Sequence, residues 1–267
     1  MKTLVIYYYN ETSITLANLT YFLKHGLIEN PNYHFIFVIN NSKCAITINE
    51  TENIKVINTL HTNPLTVYSE YFLTISSQYL SEFKYFYFIN SICIGPFLPP
   101  YIDINWIEIF NKLLVNNDLI APIVEIPPDN LGYSLIGINS DLNMPFLHCY
   151  MFGTNSSSIL LLLNIFKDFT EDSDESLVKY ERLLTSRYLV NNKRLSSLLI
   201  AFKNIDINDK NLWYYKLWNK NNNSCYESPD NYFGLDVNPF EVLFINNIKE
   251  NMSRFLRSQL TNYIVWS

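Results

Sequence analysis

Three segments of this chain are apolar on both sides of a strand's alternation: LVIYYY at 4–9, YHFIFVI at 33–39 and KYFYFI at 84–89. A strand with one wet face alternates polar and apolar side chains, so a run without alternation must be covered above and below. A mainly parallel sheet supplies that cover, because its crossover helices lie on both faces. The segments between the runs fit. Leu16, Leu19, Phe22 and Leu23 make a helical stripe that Thr12 or Ser13 can cap and Gly26 can end. Residues 54–57 read as a short third strand and 67–80 as a helix. Residues 103–114 read as another helix and 119–124 as a further strand. The expected fold class is therefore α/β, a Rossmann-like sheet flanked by helices. Beyond Met144 the pattern loosens into an apolar 145–152 segment and helices near 156–169 and 177–190. The acidic run Glu171, Asp172, Asp174 and Glu175 suits the start of the second of these helices. No linker or repeat divides the chain, which reads as one domain over 1–267.

Composition narrows the function. A net charge of −6 with no basic run argues against nucleic acid, whose phosphates need a cationic stripe. With 48% hydrophobic residues, the chain has the apolar surface to fold as a globule. The longest apolar stretch falls far short of the ~20 residues a bilayer requires, so no membrane span is expected. The opening MKTLVIYYYNET reads as a strand rather than an export signal, which implies a cytoplasmic protein. The four cysteines lack metal or disulfide spacing and read as reduced thiols. Six glycines form neither GxGxxG nor a P-loop, so a bound nucleotide must be held by other means.

In open α/β sheets, ligands bind beyond the carboxyl ends of the parallel strands. That rule selects residues 8–11, 58–63 and 90–96. Tyr7 and Tyr9 can stack on a planar base, while Asn10, Asn63 and Asn90 can hydrogen-bond its edge or a ribose. Trp213, Tyr214, Tyr215 and Trp218 form an aromatic cluster that reads as core, with a sugar platform as the alternative.

The string from Tyr87 to Tyr101, YFINSICIGPFLPPY, resembles the "FINSSxRGPFLPPY" segment of GT-A-type glycosyltransferases of giant DNA viruses, algae and bacteria. The resemblance continues through Trp106 and Phe110, Pro145 to His148, Tyr180-Glu181, and the closing Gly234 to Phe244. It implies a GT-A-like domain with acceptor-side helices toward the C-terminus. The implied reaction moves a hexose or deoxyhexose from a nucleotide-diphosphate sugar to a glycan or glycoprotein acceptor. In a virus, the product would be surface glycan. The implied donor site comprises Tyr7, Tyr9, Glu11, Asn63, Asn90 and Ser91, and the implied acceptor-side catalytic pair is His148 and Glu181.

The family's Asp-x-Asp, which holds Mn²⁺ or Mg²⁺ against the diphosphate, is matched by Asn90, Ser91 and Ile92. Asn90, Ser91 and Asp236 are then the metal candidates, although neither Asn90 nor Ser91 brings charge. The family's "ENxGxDxGA" segment keeps only Asn63, and Asn238 stands where a histidine is expected. The alternative reading is a degenerate GT-A-fold module that binds a nucleotide, a glycan or a partner protein.

Overall fold

The computed structural model describes residues 2–41, 44–125, 145–170, 172, 174–203, 206–209 and 236–247. The aromatic cluster at 213–218 and Gly234 lie outside the described residues.

The doubly apolar runs are the centre of the sheet. Strands β1 (Lys2–Tyr9), β2 (Tyr33–Asn40), β3 (Ile54–Thr59) and β4 (Phe83–Asn90) pair in parallel, in the order β3-β2-β1-β4. Beyond β4 the sheet continues through β9 (Met151–Asn155), β6 (Leu119–Ala121) and β10 (Leu195–Ser197), making seven strands. Strand β9 runs antiparallel to both β4 and β6, so the sheet is mainly but not wholly parallel. Two short antiparallel pairs stand apart: β5 (Cys93–Ile94) with β11 (Ile245–Asn246), and β7 (Val124–Glu125) with β8 (Phe146–Leu147).

Helices cover both faces, as the runs require. On one face α1 (Ser13–His25) and α4 (Trp106–Leu114) bury Phe22, Trp106 and Phe110 against Tyr7, Phe37, Tyr87 and Ile89. On the other, α2 (Pro64–Thr74), α5 (Ile159–Phe166) and α6 (Asp174–Val190) bury Tyr68, Phe72, Phe166 and Tyr180 against Ile6, Val38, Phe86 and Phe88. Phe88 and Phe152 stack across β4 and β9 at 4.6 Å. Among the described residues no helix is long and apolar enough to cross a membrane. Cys44, Cys93 and Cys149 are free thiols.

Local chemistry sets the helix boundaries. Thr12 and Thr15 form a reciprocal capping box at α1. Gly26 follows α1 with right-handed backbone, so it is not there for a left-handed turn; a Cβ would lie 2.5 Å from the Phe22 ring. The helix expected over 67–80 is two helices. It begins earlier because Asn63 caps it ahead of Pro64, and it breaks at Ile75, after which Ser76 caps α3 (Ser77–Leu80). Asn105 likewise delays α4 to Trp106.

The strand expected over 119–124 divides at Pro122, which has no N–H for the ladder. Past β4, Gly95 has φ +152°, and a Cβ there would collide with the Leu243 carbonyl oxygen. Only glycine lets the post-β4 loop lie against the 236–247 segment.

Candidate functional site

Strands β1 and β4 are neighbours, yet the chain leaves them in opposite directions: from β1 through α1 to β2, and from β4 toward the β9 side. In open α/β sheets such a reversal of direction is where ligands commonly bind, beyond the strands' carboxyl ends. The residues at these ends are exposed Asn10 and Glu11 after β1, with Asn90 and Ser91, both buried, at the end of β4. Ser91 N–H donates to the Tyr8 carbonyl (2.9 Å), and Asn10 N–H donates to Ser91 Oγ (3.4 Å). Asn90 N–H donates to the Tyr150 carbonyl, and Asn90 Oδ1 accepts Ile92 N–H (3.2 Å). Buried Asn18 of α1 donates to the Ser91 carbonyl at 2.8 Å and accepts Asn247 Nδ2 at 2.6 Å. The loop after β4 is thereby fixed by α1 on one side and the 236–247 segment on the other. Exposed Glu11 accepts Ala45 N–H (2.7 Å) and the Tyr9 hydroxyl (3.4 Å) through Oε2, pinning the 44–46 backbone over the end of β1.

Tyr7 is a correction. Its side chain is buried between sheet and α1, with the Phe22 ring at 4.7 Å and the Phe37 ring at 5.6 Å, and burial drives its hydroxyl pKa well upward. Alternation along β1 turns Tyr7 and Tyr9 to the same face, and of the two it is Tyr9, the last residue of the strand, whose hydroxyl reaches Glu11. Tyr7 is core, not a base platform.

The same sheet edge continues past β4, because antiparallel β9 begins where β4 ends. His148, just before β9, lies with Nε2 3.0 Å from Oε1 of Glu125, whose side chain is 2% exposed at the end of β7. The imidazole stacks on Tyr150 at 5.9 Å and meets the edge of Phe146 at 5.5 Å. Two groups of α6 hold the backbone around it: Glu181 Oε1 accepts Cys149 N–H at 2.7 Å, and Thr185 Oγ1 accepts Leu147 N–H at 3.1 Å. His148 and Glu181 are thus brought together, with Glu181 acting on the backbone beside the imidazole.

Asn63 stands elsewhere, after β3, where it is buried and accepts Leu65 N–H as the cap of α2. Asp172 receives Thr62 N–H (2.9 Å) and Asn63 N–H (2.6 Å) and lies 3.4 Å from His61 Nδ1. So this member of the acidic run serves the start of α2, from far along the chain. Tyr8 and Asn40 complete the network: Asn40 Nδ2 donates to the Tyr8 hydroxyl and the His61 carbonyl. Burial raises the Tyr8 hydroxyl to about 12.

Burial alone would raise the Asp172 carboxyl, but the N–H groups of Asn63 and Thr62, with His61, outweigh it and hold it below its ordinary 3.8. A depressed folded-state value contributes stability above the unfolded value and loses it as pH falls through the folded one. Wild type is therefore expected to lose stability more steeply than Asp172→Asn below pH 3.8, as read by urea midpoints from pH 5 to 2.

The metal candidates do not fit a dication in the manner of Asp-x-Asp. Asn90 Oδ1 is engaged by Ile92 N–H and Ser91 Oγ by Asn10 N–H, and both side chains are neutral. Asn238, at the position where a histidine was expected, spends its side chain on Phe240 N–H as the cap of α7 (Pro239–Val242). Asp236 precedes that cap. Among the described residues no three His, Cys, Asp or Glu side chains gather as a metal site.

Glu125, Tyr150, Asn18 and Asn40 were missed as site residues. Glu125 had one usable signal, a lone carboxylate closing the apolar run LIAPIV at a strand's carboxyl end. Comparison of the chain with protein-family models and with the curated proteins found no match.

Proposed function

We propose that this chain is a GT-A-like glycosyltransferase that moves a hexose or deoxyhexose from a nucleotide-diphosphate sugar to a glycan acceptor. The observation that carries the reading is the run of polar groups along one carboxyl edge: Tyr9 and Glu11, then Asn90 and Ser91, then His148 with Glu125. The β1–β4 crevice takes the donor, and the His148 end takes the acceptor. In the transfer, an acceptor hydroxyl oxygen bonds to the anomeric carbon as the bond to the diphosphate oxygen breaks. His148 accepts the hydroxyl proton, and the nucleoside diphosphate leaves with the bonding pair. Glu125, set against the imidazole, stabilises the imidazolium that forms. Glu181 is a positioning residue, because its oxygen holds Cys149 N–H rather than facing the acceptor hydroxyl. No step is routed through a metal.

The deciding experiment is turnover, measured as nucleoside diphosphate released from a panel of donor sugars with glycan acceptors. Release that depends on both substrates supports the transferase, and no release with any donor removes it. A second reading, a non-catalytic module that binds a nucleotide or glycan, draws on one observation: the β4 end presents a neutral amide and hydroxyl that are bonded within the protein. Asn90→Ala tests the donor site. It is expected to weaken donor affinity about tenfold, equivalent to ~1.4 kcal/mol, in a protein that still folds but loses about 1 kcal/mol of stability with the Ile92 N–H bond. Unchanged donor affinity takes Asn90 out of the site.

A further inference from the structure

The carboxyl ends of β2 and β3 open into a second cleft, of about 530 Å³, walled on its other side by α2. Val38, Ile57 and Tyr71 give it an apolar floor and wall, while Asn58, His61 and Glu70 stand at its polar rim. His61 is held between two carboxylates, Nε2 at 3.3 Å from Glu70 and Nδ1 at 3.4 Å from Asp172, which fixes the imidazole at the mouth. Glu70 is 57% exposed and is one of the residues that line the cleft. Among the described residues neither lysine nor arginine lines the cleft.

Those features select a ligand class. A rim with exposed Glu70 and, among the described residues, no lysine or arginine disfavours a phosphate group. Carboxylate and amide oxygens accept hydrogen bonds from hydroxyl groups, and His61, with both ring nitrogens facing carboxylates, holds Glu70 in place at the rim. An apolar floor rewards a ligand with a C–H face. The volume lies within the usual range for small-molecule sites. We propose that this cleft is a subsite for a neutral polyhydroxylated ring, a carbohydrate unit whose hydroxyls meet Glu70 and Asn58 while its C–H face lies on Tyr71 and Ile57. The subsite is built two strands from the β4 end and stands whether or not the chain transfers a sugar. Its link to the β1–β4 crevice is the Tyr8 hydroxyl, which donates toward the carbonyls of His61 and Thr62.

The test is ¹⁵N-edited NMR of the full chain. Methyl α-glycosides of glucose, mannose, galactose and N-acetylglucosamine are titrated in separate arms, with UDP and inorganic phosphate as further arms. The expected result is a saturable shift at amides of residues 57–61 and 70–74 with at least one glycoside and none with phosphate. Glu70→Ala weakens that binding at least tenfold, with the melting temperature unchanged because the side chain is largely solvated. No saturable shift with any glycoside would overturn the proposal. So would equal affinity in Glu70→Ala. Saturation of these amides by UDP or phosphate would also overturn it, assigning the cleft to an anionic ligand. Nucleoside diphosphate release is read in a separate assay, so failure of the transferase and failure of this subsite are distinguishable.

Discussion

Trp106→Ala is expected to destabilise the fold by about 3–5 kcal/mol, the usual cost of emptying a fully buried aromatic site. Trp106 is 0% exposed and is the point where three parts of the chain meet. Its indole N–H donates to the Gly26 carbonyl at 2.9 Å, closing the end of α1 onto the first turn of α4. Its ring meets Tyr87 of β4 at 5.5 Å and Phe244 of the closing segment at 5.3 Å, both edge-on. Phe22 and Phe110 stand 6.2 Å away on either side. Alanine removes these contacts together and leaves the Gly26 carbonyl without its donor. Trp106→Phe keeps most of the area and loses the N–H, so it should cost only about 1–3 kcal/mol. Urea unfolding followed by circular dichroism measures both; a loss under about 1 kcal/mol for the alanine variant contradicts this packing account.

His148→Gln should lower turnover by about 10²- to 10⁴-fold, the usual contribution of a positioned general base. Glutamine keeps a polar group beside Glu125, so the buried carboxylate is not left against an apolar side chain and the protein remains folded. Donor affinity should change little, since in this reading His148 meets the acceptor hydroxyl and not the nucleotide. His148→Ala removes that polar group as well, and it should add a stability loss that the glutamine variant does not show. Turnover within twofold of wild type for His148→Gln would deny the imidazole a chemical role.

The central strands were legible in the amino-acid sequence because burial on both faces leaves a local signature: nothing in 33–39 or 84–89 alternates. A cap at Thr12 or Ser13 was legible because capping is local, and Thr12, whose partner Thr15 is three residues away, is the one that serves. What escaped was non-local. The apolar segment 145–152 carries no mark of strand direction, so the reversal that makes β9 antiparallel could not be read. Leu195–Ser197 is too short to show any period. The Asp172 carboxylate follows the expected rule of negative charge at a helix start, but at α2 rather than at the helix that follows it in sequence. Asn18 and Asn247 meet across 229 positions, a pairing with no local trace. Within the candidate site, the strand-end rule located Asn90, Ser91 and Glu11. It also drew in Tyr7, whose place one pleat too deep depends on where β1 stops.

The most direct test of the donor crevice is thermal unfolding with UDP, GDP, dTDP and their sugars, each with and without Mn²⁺. A ligand that binds only the folded state at ~100 times its Kd contributes about 2.7 kcal/mol. The expected result is a rise in melting temperature with one nucleotide class, reduced in Asn90→Ala. A flat response to every nucleotide, with and without Mn²⁺, would contradict a nucleotide-sugar site at the ends of β1 and β4.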